Sequence, residues 1–294
     1  MNDCPLLLAT TDILHRTKVL EDLLVRRLMR KSRRVLDTWE RAERDWNQTL
    51  YEMTAYAMGA PRNSVPFQKL ATRVTFRMCM KESGNRHAVE SMLLGCSGLL
   101  VGEYLDSQIV GMQEDFVYLS NKYNIETMKP SEWNRAMSYP AGNPLLRIAQ
   151  FAAVVSQEEF CFNNVVACKT LDDVSKLFSA EVSDDWQDHY TLGSKFEGVP
   201  KSMGKERKVV MAINLVVPIQ FAYGEVMGKD EVKLQAMELL ESLPAEHNRI
   251  VSKWTGAGVP CTTAFDSQAL IELESFCNDG ECRQCPLAKQ IKRT

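Results

Sequence analysis

The sequence predicts an all-α fold: a compact multi-helix domain, of one or two lobes, that ends in a short cysteine-rich knuckle. Three observations predict it. Apolar residues recur every three or four positions in nearly every segment, which puts them on one stripe of a helix. Period-2 alternation, the mark of a half-buried strand, recurs in none, so regular strands should hold under about a tenth of the residues. Apolar residues make up 45% and charged residues 25% of 294 positions, ordinary globular usage that excludes disordered, collagen-like and small disulfide-stapled classes. One helical domain over 1–294 suits this length. The irregular stretch 128–144 is the place for a lobe seam, and 277–294 forms a tail.

The elements follow in order. Leu20, Leu24, Leu28, Val35, Trp39, Ala42 and Trp46 share one stripe, on one long helix or on two end to end. A further helix spans 45–58 and stops at Gly59 and Pro61. Asn63 or Ser64 caps a short helix with Pro66 in its first turn. A polar loop over 81–86 precedes Val89, Met92, Leu93 and Cys96, which restore helical spacing, and 107–123 is helical with Ile109, Met112, Phe116 and Leu119 inward. Pro144 stands where a helix over 145–155 begins. Residues 171–178 and 184–192 read as shorter helical pieces. The most apolar stretch, 209–222, is too long for one strand and reads as a buried helix bent or broken at Pro218. Helices over 232–243 and 245–254 are divided by Pro244, and 267–276 is the last before the tail.

Lys and Arg total 35 against 38 Asp and Glu, a net charge of -3, so the overall charge predicts no polyanionic partner and any basic patch is local. No apolar run reaches the roughly 18 residues of a membrane-spanning helix. Leu6-Leu7-Leu8-Ala9 has no basic region before it and is too short for a signal peptide, so the expected location is cytoplasmic, away from membranes. Nine cysteines then read as reduced thiols or metal ligands.

The strongest local signal is Cys277-x4-Cys282-x2-Cys285. Spread evenly, the cysteines would put about 0.3 in a nine-residue window, and this window holds three. The pair Cys282-x2-Cys285 lets two thiolates converge from a tight turn, which Gly280 and Pro286 suit. Thiolates favour zinc or an iron–sulfur cluster, with Cys261 or His247 as the fourth ligand; buried or redox-active thiols are the alternative.

Arg26, Arg27, Arg30, Lys31, Arg33 and Arg34 make six basic residues in nine. They could track nucleic-acid phosphates, but the nearby Glu21, Asp22, Asp37, Glu40 and Glu43 and the lack of interleaved aromatics favour a solvated helix face. Arg147 and Gln150 open a helix beside a Pro/Gly loop and could hold an anion, or Arg147 could tie the loop down through its carbonyls. Glu246 and Asn248 suit a helix cap. His189, between Asp188 and Tyr190, could be an oriented base, though a histidine with no identified nucleophile is more often a packing residue. Gly198 to Lys205 lacks P-loop spacing, Gly256-Ala257-Gly258 lacks the third glycine of a dinucleotide site, and neither Gly-x-Ser-x-Gly nor His-Glu-x-x-His occurs.

A series of short motifs links the chain to a known family. They are Asn63-x-x-Pro66-Phe67 with Leu70-Ala71, Glu90-x-x-Leu93-Leu94-Gly95 with Gly98-Leu99-Leu100, and Asn143-Pro144-x-x-Arg147-Ile148-Ala149-Gln150. Then come Trp186-x-x-His189-Tyr190, Asn214 with Pro218, Tyr223-Gly224, Pro244-Ala245-Glu246-x-Asn248, Ser267-Gln268-Ala269-Leu270, and Cys277, Cys282 and Cys285. In this order, from about Trp46 to the C-terminus, the chain resembles a bacterial family, domain of unknown function 2851. The resemblance implies a mostly helical fold and no established activity. Longer relatives carry in addition a strand-rich N-terminal region whose acidic and Glu-x-His motifs are similar to those of metal-dependent nucleases. That region is expected to be absent here, so no catalytic residue is carried over. Relatives approach the helix of Arg147 through an Arg-Pro-x-Asn-Phe-Pro-like segment; here it is Ser138-Tyr139-Pro140-Ala141-Gly142-Asn143-Pro144, without the Arg and Phe.

The leading functional expectation is a non-catalytic helical scaffold or interaction module that acts with nucleic acid or a nuclease-like partner domain. The rival is a nucleic-acid hydrolase or modifying enzyme with a site around Arg147, His189 and Glu246. Grouping of those three in one pocket favours the enzyme, and dispersal favours the module.

Overall fold

The computed structural model describes residues 4–136, 142–186, 189–192, 194–195 and 202–291; Asp188, Gly198 and residues 138–141, singled out above, lie outside them. The first ten helices are α1 (Cys4–Thr10), α2 (Ile13–Arg41), α3 (Trp46–Gly59), α4 (Ser64–Arg73), α5 (Phe76–Lys81), α6 (Arg86–Cys96), α7 (Ser107–Tyr123), α8 (Pro144–Val155), α9 (Phe162–Ala167) and α10 (Leu171–Leu177). A hairpin of β1 (His189–Thr191) and β2 (Ser194–Lys195) follows, antiparallel, with His189 opposite Lys195. The remaining helices are α11 (Lys205–Met211), α12 (Val217–Met227), α13 (Asp230–Ser242), α14 (Arg249–Gly256), α15 (Ala264–Asn278) and α16 (Pro286–Ile291). The protein is all-α, as expected.

Three local expectations change. Residues 184–192 are not helical: a 3-10 turn, Asp184–Trp186, leads into β1, where His189-Tyr190-Thr191 is aromatic and β-branched and favours extended backbone. The helix expected from Ala245 starts later, at Arg249. Pro244 bridges to Thr263, and Asn248 caps the helix through Oδ1, which accepts from the amides of Ile250 and Val251, both at 3.0 Å. The disturbance expected at Pro218 takes the form of a π-helical turn, Ala212–Val216, just before it. Proline has no N–H to donate and its ring crowds the carbonyl four residues back, so the helix widens there.

The helical run Lys205–Met227 is long and apolar enough by composition to cross a membrane, contrary to the expectation of no such segment. Asn214 and Gln220 interrupt the apolar string while its average stays high. Of its most apolar window, 67% is buried within the protein, which accounts for the composition of a core helix.

The chain forms two compact units: 1–36 with 169–171 and 216–294, and 37–168 with 172–215. The described part of 128–144 falls within the second. In the first unit α13 packs on α12 and α15, and α14 packs on α15. Its core includes Leu239, Leu240, Trp254, Leu270 and Leu273. Thr263 and Asp266 form a reciprocal capping box at the start of α15.

In the second unit α3 packs on α4 and α8, and α6 packs on α7 and α8. Tyr51, Phe67, Trp133 and Phe151 join at its centre, with ring centroids 5.1 Å apart for Tyr51–Phe151 and 5.3 Å for Phe67–Trp133. The Tyr51 hydroxyl donates to the Val74 carbonyl at 2.7 Å, so this polar tip is satisfied inside the core. Gly95 lets α6 approach α7: a Cβ there would lie 2.0 Å from the Phe116 ring. The buried Glu90 accepts from Ser183 Oγ at 2.9 Å and from the Trp186 indole, which ties the 3-10 turn to α6.

Candidate functional site

The ends of α3, α4, α8 and α11 in the second unit surround a cavity of about 210 Å³. Three arginines line it: Arg62, Arg147 and Arg207. Met58, Pro61, Phe67 and Pro144 supply apolar wall, and Asn63, Asn134, Ala136 and Gly142 complete much of the rest. No carboxylate belongs to the lining among the described residues.

Local sequence explains each position. Gly59 and Pro61 end α3, and Arg62 follows at the turn into α4. Asn63 precedes α4 but leaves its amides without a side-chain cap. Its side chain instead clamps Asn134 from both sides, donating to the carbonyl at 2.9 Å and accepting from the amide at 2.8 Å. Pro144 opens α8 and Asn143 caps it, accepting from the Leu145 amide at 2.9 Å. One turn on, Arg147 enters the cavity. The side chain of Asn143 thus takes an amide that the α8 N-terminus would offer an anion, and the cations in the lining are guanidinium groups.

The three arginines are engaged unequally. Arg207 closes the C-terminus of α3: its guanidinium donates to the carbonyls of Ala57 at 2.5 Å, Met58 at 3.0 Å and Ala60 at 3.3 Å. Its Nε is buried and has no hydrogen-bond partner among the described residues. Arg62, exposed at the rim, donates to the Ala136 carbonyl at 2.6 Å. Arg147 donates to Gln150 Oε1 at 3.3 Å. Gln150 is buried behind it and outside the lining. Burial, with Arg207 beside it, pulls the Arg147 guanidinium down to about 10, and burial lowers Arg207 as well. Among the described residues of the loop before α8, the Ala136 carbonyl is taken by Arg62, while Arg207 bonds the end of α3.

The other expected site residues fall elsewhere. In the first unit, the basic run of α2 divides. Arg26, Arg33 and Arg34 are exposed. Arg27 donates to Gln268 Oε1 at 2.6 Å, Lys31 donates to the same oxygen at 2.5 Å, and Arg30 lies 2.6 Å from Glu272. Gln268 in turn donates to Glu246. Burial and the neighbouring Arg27 bring the Lys31 ammonium down to about 7, against the pull of Glu246. Half of the basic run is therefore built into the contact with α15, and Glu246 is a structural acceptor there.

His189 lines a separate cavity of about 20 Å³ with Asp106, Met112 and Trp186, room for about one water molecule. It does not share the cavity of Arg147, and Glu246 is in the other unit. Cys277 is exposed, Cys282 and Cys261 are half-buried, and Cys285 is buried. Burial and the charges of Glu274, Cys4 and Cys285 push the Cys277 thiol up to about 11, and burial with Asp266 does the same to Cys261. His247 is exposed. No group of three or more His, Cys, Asp or Glu side chains is gathered for a metal ion among the described residues.

Sequence reasoning found Arg147 and missed Arg62 and Arg207. Arg62 had one signal, its place directly before the Asn63-x-x-Pro66-Phe67 motif. Arg207 sits in the charged string Lys205-Glu206-Arg207-Lys208, where nothing marks it as inward.

Fold and site together define an all-α protein with an arginine-lined cavity. The chain belongs to the family described as Protein of unknown function (DUF2851), whose model matches residues 2–249. The match takes in all three arginines, begins well before Trp46, and ends ahead of the cysteine tail. No curated protein and no solved structure matches the chain.

Proposed function

We propose that this protein is a non-catalytic helical module that recognises a phosphate-bearing partner, with Arg62, Arg147 and Arg207 as the receptor. One observation carries the proposal: three guanidinium groups line one cavity, and no carboxylate among the described lining residues offsets them. Half-buried charges are ordinarily paired, because desolvating an ion costs several kcal/mol, on the order of what a good partner returns. An anion with several acceptor oxygens supplies that partner, and guanidinium forks match phosphate oxygens two at a time. The exposed Arg26, Arg33 and Arg34 add basic surface on the first unit, suited to a polyanionic partner.

The test is anion-dependent stability. Phosphate and pyrophosphate should raise the melting temperature of the wild-type protein above that in chloride at equal ionic strength. Arg147→Gln and Arg62→Gln should each remove most of that gain. Equal stability in all salts, or an unchanged gain in both variants, overturns the proposal.

A further inference from the structure

We infer that the arginine cavity takes a phosphomonoester, a terminal phosphate carried on a pentose-sized carbon skeleton, in preference to a phosphodiester. The inference rests on the proposed reading of the cavity as an anion receptor and narrows the chemistry of what enters it.

Charge is the first argument. Three cations face a cavity without an opposing carboxylate among the described residues. A phosphomonoester carries about -1.5 to -2 near pH 7, whereas a diester carries a single negative charge. The more anionic group offsets more of the mutual repulsion by which Arg207 lowers the basicity of Arg147.

Donor geometry is the second. Arg147 has five N–H groups, and its hydrogen bond among the described residues is the long one to Gln150 at 3.3 Å. Among the described residues a fork face therefore remains for two phosphate oxygens. Arg62 at the rim keeps donors beyond the one it gives Ala136. Arg207 contributes field more than contacts, since its terminal nitrogens are occupied by the carbonyls of Ala57, Met58 and Ala60. The uncapped start of α4, next to Asn63 in the lining, adds the positive end of a helix.

Shape is the third. About 210 Å³ corresponds to several water molecules and exceeds one phosphate group. The remaining wall at Met58, Pro61, Phe67 and Pro144 is apolar and suits a carbon skeleton. Arg147 and Arg207 are half-buried, so a chain end reaches them more readily than an internal diester, which must enter and leave with polymer on both sides. The same terminal group occurs on free nucleotides, on sugar phosphates and at the 5′ end of a single strand, and the assay separates these sources.

Affinity is measured by calorimetry at fixed ionic strength for inorganic phosphate, dimethyl phosphate, ribose 5-phosphate and adenosine 5′-monophosphate. One single-stranded oligonucleotide is compared with and without its 5′-phosphate. Ribose 5-phosphate or the monophosphate should bind at least ~10-fold tighter than dimethyl phosphate, or the 5′-phosphate should strengthen oligonucleotide binding by a similar factor. Which pair shows the preference identifies the source. The preference should shrink from about pH 7.5 to about pH 5.5, as the monoester gains its second proton near pH 6. It should vanish in Arg147→Gln, with Arg62→Gln, at the exposed rim, as the second variant. Monoester and diester bound equally, both weakened by the variants, would overturn the monoester inference and leave the anion receptor standing. No binding by any probe, or binding untouched by both variants, would overturn the receptor as well.

Discussion

Replacing Arg147 with methionine should make the protein more stable and less able to respond to phosphate. The guanidinium is half-buried, next to Arg207, and its contact among the described residues is Gln150 at 3.3 Å. Its drop to about 10 corresponds, at about 1.4 kcal/mol per tenfold change, to an upper bound of about 3 kcal/mol held against the folded state. Partial exposure screens some of that, and the lost contact to Gln150 returns up to about 1 kcal/mol. A methionine keeps most of the apolar length of the arginine stem. The net expectation is a gain of about 1–2 kcal/mol, or about 2–8 °C in melting temperature. The sign against pH follows from which state holds the proton. Above about 10 the folded protein releases it before the unfolded chain does, so wild-type stability rises there and the advantage of the variant fades. From about pH 6 to 9 the advantage should be constant. Urea denaturation in chloride buffer, followed by tryptophan fluorescence, measures the gain, and added phosphate should then stabilise the wild type alone. A variant less stable than wild type by more than ~1 kcal/mol without phosphate would refute the reasoning, because Arg147 would then be a structural tie.

Gly95→Ala should destabilise by about 1–3 kcal/mol, since its Cβ would lie 2.0 Å from the Phe116 ring; Phe116→Leu in the same chain should recover part of the loss in a urea titration. Lys31→Met should match or exceed wild-type stability at and below about pH 7. The folded protein sheds the Lys31 proton near 7 while the unfolded chain keeps it to about 10, so wild-type stability climbs across that window and the advantage shrinks; a constant difference from pH 6 to 10 would count against it. Cys277, exposed yet raised to about 11, should react with iodoacetamide at about pH 8 at least ~10-fold more slowly than free cysteine, as peptide mass mapping over time would show.

Periodicity and caps were legible wherever one local force decides. Asp45 accepts from the Asn47 and Gln48 amides and starts α3, Gly59 ends it, and α7 runs over 107–123 as the apolar spacing required. Legibility failed where a distant partner decides. The 3-10 turn at Trp186 is held by Glu90, almost a hundred residues earlier, so the helical spacing read over 184–192 had nothing local to correct it. The start of α14 moved because Pro244 pairs with Thr263 across a loop. The cavity was legible only at Arg147, because Pro144 and the loop before it marked a helix start, while Arg62 and Arg207 enter from other elements.

The two sets of arginines invert what linear charge density implies. Arg26 to Arg34 form the conspicuous run, yet Arg27, Arg30 and Lys31 meet Gln268 and Glu272 and serve the packing of α2 against α15. Arg62 and Arg147 stand among neutral neighbours in the sequence and Arg207 in a short string of mixed charge, and the second unit gathers all three around one cavity. A run of like charges on one helix repels itself, so folding recruits carboxylates to it, here Glu272 and Glu246. Charges brought together from the turn between α3 and α4, from α8 and from α11 by tertiary packing carry no such local pressure. They can remain uncompensated if the unit is stable enough to bear about 1–3 kcal/mol of desolvation and repulsion. A protein that bears that cost without a ligand gains it back when an anion enters. The strength of anion binding and the stability released by Arg147→Met should therefore trace to the same interaction.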